Sequence, residues 1–365
     1  MPWRVAVVLP AREGFSPGAV GAIGLQVAAL AGVQDVIVGA PLAGPSLLPD
    51  HEYHAITPGL WPPGSRSLRY AAACLRAVAQ IAPAVVEVHN RPDTAHYIAR
   101  HRPGQRVLLM LHNDPQGMRG ADTPALRRAL LRVMDVACVS GWLRARFLDG
   151  LPAACADHVG ISPNGVALPE HVMPMTQRDP CVLFVGRVVA DKGADLFVAA
   201  CGQLAPVHPG WRFCMIGADR FRPDAPLTPF VTGLLPRARA AGVDMPGYRP
   251  HADVLAAMGR AAIVVVPSRW PEPFGMTALE AMAAGAALVA APQGGLTEVV
   301  GQGGMLCPPD PASALAGVVG QLMADPDARS SLAARGRAQA ARFSVAHARA
   351  CRAALRMACL HRVPG

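Results

Sequence analysis

The sequence has a single lysine. Of its 34 basic residues all but Lys192 are arginine, so the net charge of +9 is carried almost wholly by guanidinium groups. Against that bias the one ammonium is informative, because a compact charge on a flexible stem reaches places that a planar fork does not. Chance retention is the competing reading. Aromatic residues are also scarce, at 5% of the chain. Few of them interleave the arginines of residues 119–146 or of residues 329–362, which argues against nucleic acid as a partner. No apolar run reaches the roughly 18–20 residues that cross a bilayer. The opening VAVVL after Arg4 is too short for the apolar core of a secretion signal and lacks a small-residue cleavage site, so it reads as a first strand.

Cysteine pairs of the CxxC kind and His/Cys ligand clusters are missing too. The nine cysteines are odd in number and scattered, mostly inside apolar runs, which suits free thiols in a reducing cytoplasm better than disulfides or zinc. Glycines 18, 21 and 24 follow a GxxGxxG spacing, not the dinucleotide GxGxxG, so a nicotinamide cofactor is disfavoured.

What is present is a rhythm. Strand-like runs alternate with helical ones from RVAVVL through VVEVH, RVLLMLH and VACVS, the βαβα pattern of a parallel sheet with helices on both faces. Around residues 162–180 the pattern breaks into a segment rich in proline and turn-formers, read here as a linker. A second series follows with CVLFVGR, WRFCMIGA, AAIVVVPS and AALVAAP, and Ala-rich helices close the chain. The expected division is residues 1–175 and 176–344, two Rossmann-like α/β domains, and 365 residues with 52% hydrophobic content suffice for two cores.

The chain is organised around residues 264–300. An apolar strand ends at Pro267, a helix starts near Met276, and Glu272 and Glu280 frame the turn between them. The N-terminus of that helix, at Gly275 and Thr277, offers backbone N–H groups and the positive end of a dipole to an anion. The plainer reading is a helix-start carboxylate and a solvent-facing glutamate. Upstream, Gly186, Arg187, Lys192 and Gly193 repeat the strand, glycine, cation and helix order. An arginine fork and a nearby ammonium can neutralise a diphosphate, although two surface cations on a solvated loop would look the same.

The run EPFGMTALEAMAAG closely resembles the signature of the retaining glycosyltransferases of family four, which have the GT-B fold, and GRVVADKG resembles that family's second signature. The resemblance implies two doubly wound domains facing across a cleft, with a C-terminal helix, about residues 345–365, returning to the first. It also implies a nucleotide-diphosphate sugar donor, a glycan or lipid-linked acceptor, and no metal or further cofactor. The lack of a DxD-like acidic cluster is consistent with that. By the same resemblance Arg187 and Lys192 hold the diphosphate, and Glu280 accepts from the ribose hydroxyls. Glu272, with the backbone N–H groups of Phe274, Gly275, Met276 and Thr277, holds the transferred sugar, while the Phe274 ring is free to pack. Tyr248 and Arg249 lie where relatives seat the base, and His112, after RVLLML, would touch the sugar. Gly18 and Gly295 mark turns where backbone can approach the donor; for Gly295 a tight βα turn is the alternative. His89, Asn90 and Arg91 end the preceding strand and could line the acceptor side.

For the arginine-rich residues 119–146 and 329–362 the favoured reading is a solvated helical face, the other being docking on an anionic membrane at the inner face of the cell membrane. A nucleotide-sugar epimerase of the same fold, or a non-catalytic binding protein, remain the alternatives to transfer. Four intact residues, Arg187, Lys192, Glu272 and Glu280, speak against the latter.

Overall fold

The computed structural model describes residues 3–219 and 226–361. They divide into two units, one being Val166–Ser344 and the other the chain before Val166 together with the chain from Val345 onward. The first break thus falls at Gly165, earlier than the expected 175. The Val166 N–H already donates to Phe343 O at 2.9 Å, within the second unit, whereas Gly165 is held by the Gln26 side chain, which donates to its carbonyl at 3.1 Å and accepts from its N–H at 2.8 Å.

In the first unit, strands Tyr53–Ala55, Asp35–Gly39, Val5–Val8, Val85–His89, Arg106–Leu111, Asp135–Cys138 and Val159–Ile161 lie side by side in that order, all parallel. Val5–Val8 is buried at every position, which is why its sequence shows no polar alternation. The chain starts there, steps out to one edge, then returns to build the other side. The strand order therefore reverses between Val5–Val8 and Val85–His89, and open α/β sheets bind ligands beyond the C-terminal ends of strands at such a point.

The second unit repeats the plan with strands Val243–Gly247, Arg212–Ile216, Asp179–Val185, Ala261–Val266, Ala287–Ala290 and Met305–Leu306, again parallel. Its order reverses between Asp179–Val185 and Ala261–Val266. Phe184 and Phe197, with ring centroids 5.6 Å apart, sit in its core beside Ile263, Val265 and Val319. Helices begin where capping side chains stand: Ser65 accepts from Leu68 N–H, Ser140 from Leu143 N–H and Asp325 from Ala328 N–H.

The helix Val345–His361 belongs to the first unit, packing on strand Arg106–Leu111 and helix Ala22–Leu30. Its buried stripe is Ala348, Arg352, Arg356 and Cys359. Among the described residues no helix is long and apolar enough to cross a membrane.

Many arginines of the two basic stretches neither face solvent nor stand ready for a surface. Arg127 is buried and donates to the carbonyls of Phe147, Ala121 and Asp149. Arg144 serves Val159 O and Ala156 O, and Arg337 serves Ala283 O and Pro169 O. Arg329 holds Leu322 O and Met323 O while stacking over Trp211. A five-donor fork suits the orphan carbonyls of helix ends and loops, so these cations act as internal caps. Arg119, Arg128, Arg132 and Arg342 stay exposed, and Arg362 lies outside the described residues.

Candidate functional site

The two motifs of the second unit flank its reversal point. Lys192 ends a short turn, Ala190–Lys192, after strand Asp179–Val185, and Glu272 follows the neighbouring strand Ala261–Val266. Gly193 comes next with φ +71°, and a Cβ there would lie 2.0 Å from Pro267 O. Only glycine lets the two loops touch. Asp191 then joins them, its carbonyl accepting from the N–H groups of Arg269 at 2.8 Å and Trp270 at 3.0 Å. In consequence Lys192 Nζ stands 2.5 Å from Glu272 Oε1, with the two side chains 23% and 12% exposed. Arg187 is exposed on the same turn and has no ion-pair partner among the described residues.

Glu272 is fixed from behind as well. Gly295 N–H donates to its carbonyl at 2.7 Å, and Gly294 bridges it with φ +62°, where a Cβ would meet Glu272 O at 2.5 Å. The glycines 294 and 295 thus approach Glu272 itself. Helix Met276–Ala283 starts at Gly275, whose φ is +105° and whose missing Cβ would lie 2.5 Å from the buried Leu296. No side chain caps that N-terminus, so Met276 and Thr277 open an anion-seeking helix end next to the Lys192–Glu272 pair. Phe274 faces inward: its ring is buried and meets Phe343 edge-on, with centroids 5.6 Å apart. Of that residue only the backbone is left for a ligand.

One turn into the helix, Glu280 accepts from His251 Nε2 at 2.9 Å. This hydrogen bond holds the imidazole pKa above its ordinary value. His251 was not singled out in the sequence, yet it opens the helix His251–Arg260 just after Tyr248 and Arg249 and ties that segment to Glu280. Tyr248 is 44% exposed, and among the described residues Arg249 donates only to the Tyr248 carbonyl. Arg269 also escaped notice. It grips Asp195 at 2.7 and 3.0 Å and Asp310 at 3.0 Å, bracing the loop behind Lys192.

In the first unit Gly18 turns a small hairpin between Phe15–Ser16 and Ala19–Val20, with φ +76° and open space where a Cβ would point. The N-terminus of helix Ala22–Leu30 is already served, since Glu13 Oε1 accepts from Gly21 N–H at 2.8 Å and Gly24 N–H at 2.9 Å. The glycines of that segment make room for this carboxylate. His112 ends strand Arg106–Leu111, half-buried, with Nε2 2.9 Å from His89 Nδ1. Asn90 Oδ1 accepts the N–H groups of His112 and Asn113, both at 3.1 Å. The expectation that His89 lines an acceptor surface is corrected: its side chain is completely buried against Glu87 at 2.7 Å. Arg91 is occupied by Ser67 and Asp93.

Two parallel sheets of this design, each with its loops beyond the strand ends, are shared with solved glycosyltransferases. The Anabaena Alr3699/HepE structure in complex with UDP and glucose matches with a TM-score of 0.75 and 19% identity over 97% of this chain and 99% of that one. Sucrose-phosphate synthase from Thermosynechococcus elongatus matches with 0.77 and 21% over 97% and 98%. The architecture is therefore the GT-B fold. A family model described as glycosyl transferases group 1 matches residues 173–339. The D-inositol 3-phosphate glycosyltransferase of Acidothermus cellulolyticus is 30% identical over 318 residues, 75% of this chain and 67% of the relative. The chain belongs to the group 1 glycosyltransferases. Glycogen synthase of Mycobacterium tuberculosis is 36% identical over 167 residues, 44% of this chain, and the chain spans 37% of that relative's length.

Proposed function

We propose that this protein moves a sugar from a nucleotide-diphosphate sugar to a hydroxyl of a glycan or glycolipid, with retention at the anomeric carbon, as in family four. The observation that carries the reading is the Lys192–Glu272 pair at 2.5 Å beside the uncapped N-terminus of helix Met276–Ala283. A donor arriving there exchanges that internal pair for two. Its diphosphate takes Lys192 and the unpaired Arg187, and its sugar hydroxyls take Glu272 and the N–H groups of Met276 and Thr277. Glu280 then accepts from the ribose hydroxyls.

Charge grows on the leaving diphosphate as the glycosidic bond breaks, and prepositioned cations with a helix N-terminus stabilise that charge more than the ground state. The departing phosphate takes the acceptor's proton on the same face of the sugar, so the reading needs no metal and no covalent nucleophile. UDP is the first nucleotide to try, since the HepE structures were solved with UDP, UDP and glucose, and UDP-glucose. Cytoplasmic placement belongs to the same proposal and rests on nine free cysteines. A lipid-linked acceptor would bring the protein to the inner membrane surface, and the exposed arginines such as Arg119 and Arg128 would serve there.

Thermal unfolding with UDP-, GDP- and ADP-sugars tests the donor. A ligand at 100 times its Kd adds about 2.7 kcal/mol of apparent stability. One nucleotide series should raise Tm and the others should not. No stabilisation by any of the three, together with no nucleoside diphosphate release over an acceptor panel, would sink the proposal. NMR of the product's anomeric proton decides retention.

A further inference from the structure

Beneath the strand ends of the first unit lies a buried cluster that this function does not absorb. Arg356, from helix Val345–His361, forks onto Asp35 with both contacts at 3.0 Å and reaches Glu87 Oε2 at 2.7 Å. Arg352, one turn earlier, places Nη2 2.6 Å from Glu87 Oε1 and 2.9 Å from His89 Nε2. His89 Nε2 is itself 2.7 Å from Glu87 Oε1, and its Nδ1 is 2.9 Å from His112 Nε2. Asp35, Glu87, His89, Arg352 and Arg356 are all buried.

The charges settle the protons. Two carboxylates and two guanidiniums balance, so a proton added to His89 would leave an uncompensated buried cation, and one added to half-buried His112 would face the same cluster with no acid left to pair it. Burial first, and the arginines after it, hold His89 below its ordinary pKa; burial, His89 and Arg352 hold His112 well below. Both rings are therefore neutral, each with one N–H. Burial alone would raise the Glu87 carboxyl, but Arg352 and Arg356, with the His89 hydrogen bond, outweigh it and hold it ionised, and a carboxylate only accepts. His89 Nε2 then carries the hydrogen, donating to Glu87 Oε1 at 2.7 Å alongside Arg352 Nη2 at 2.6 Å, and the 2.9 Å approach of Arg352 Nη2 to that nitrogen is the side-by-side contact of two donors sharing one oxygen, not a hydrogen bond between them. Placing it on Nδ1 instead would set a ring lone pair against a carboxylate oxygen at 2.7 Å. With Nε2 protonated, His89 Nδ1 is an acceptor, and among the described residues only His112 Nε2–H, at 2.9 Å, can supply the hydrogen.

We infer that His89 is a positioning residue for the transfer reaction: anchored by Glu87, it fixes His112 as the Nε2–H tautomer and leaves His112 Nδ1 as the acceptor offered to a sugar hydroxyl. The inference rests on the proposed transfer reaction and on the expectation, carried by the family resemblance of the sequence, that His112 touches the donor sugar. Neighbouring residues divide the task. Asn90 holds the backbone of His112 and Asn113, while His89 holds the ring. Glu87 is in turn held by Arg352 and Arg356, so a helix more than two hundred residues downstream sets the tautomer of His112. Its cost shows in Arg352, whose Nε and Nη1 are buried with no partner among the described residues.

The test uses the full chain labelled with 15N-histidine. In the 15N–1H long-range spectrum at pH 7.5, His112, identified by its disappearance in His112→Asn, should show one tautomer with the hydrogen on Nε2. An Nδ1–H signal in the wild type overturns the inference, and this measurement needs no variant that must fold. His89→Leu should spread His112 over both tautomers and lower kcat about tenfold with little change in donor KM. His89→Asn keeps an acceptor where Nδ1 stood and should recover part of both. A tautomer indifferent to His89→Leu in a folded protein also overturns it. Unchanged kcat in His112→Asn would remove its role in the reaction. Failure of the wild type to bind any nucleotide sugar would instead strike the proposed function and leave the tautomer standing.

Discussion

Lys192 is the residue where composition and geometry meet. Its isolation among arginines marks it in the sequence, and its Nζ stands 2.5 Å from Glu272. On the proposed function, Lys192→Ala removes a charge that matters most when the nucleoside diphosphate departs. We expect kcat/KM to fall at least about tenfold, worth ~1.4 kcal/mol of transition-state binding, in steady-state assays. Lys192→Arg should recover little, since a rigid fork cannot follow both Glu272 and a phosphate. Unchanged kinetics in Lys192→Ala would remove it from the site. The motifs were legible because the βα loops of a parallel sheet are local in sequence: Arg187 to Lys192 lie in one loop, and Glu272 to Glu280 in one loop and the first turns of the helix it leads into. The His251 partnership with Glu280 was not, because a lone histidine after Pro250 carries no sign of which distant carboxylate it will meet.

The elements impose their own demands, and the tightest is where the turn at 190–193 leans on the end of strand Ala261–Val266. Gly193 has φ +71° and a phantom Cβ 2.0 Å from Pro267 O. Gly193→Ala should cost on the order of 1–3 kcal/mol in chemical denaturation and weaken donor binding by parting Lys192 from Glu272. Full stability with unaltered binding would show that the loops tolerate separation. The C-terminal helix carries a different kind of demand. Removing either Arg352 or Arg356 would leave a buried carboxylate uncompensated, a cost of about 3–5 kcal/mol. A sequence reader sees a stripe of Ala348, Arg352, Arg356 and Cys359 as too polar to bury, and the arginine-rich composition hides the two that are. Asp35, Glu87 and Arg356 are joined only once the sheet is folded, across 321 residues in the case of Asp35.

For the molecule as a whole, the two units carry histidines shifted in opposite directions. His89 and His112 are depressed, so the stability they contribute is present above the unfolded-state pKa of about 6.5 and is lost as pH falls below it. His251 is raised, so its contribution is full below about 6.5 and fades as pH rises through the higher folded value. Hydrogen exchange at pH 7.5 and 5.5, corrected for intrinsic rates, should show strands Val85–His89 and Arg106–Leu111 losing protection on acidification while helix His251–Arg260 does not. Equal behaviour of the two would contradict the assignment of these shifts.

Sequence alone determined the alternation of strands and helices, the two sheets and the loop motifs beyond their strand ends, because all of these are written in periods and spacings of a few residues. Only the tertiary structure decided that Phe274 packs inward, that several arginines of the two basic stretches cap carbonyls or bind buried acids, and that Glu87, His89 and His112 form one chain. Those outcomes depend on which surfaces cover one another, and burial converts a polar residue from solvated to partnered only after distant parts of the chain have met.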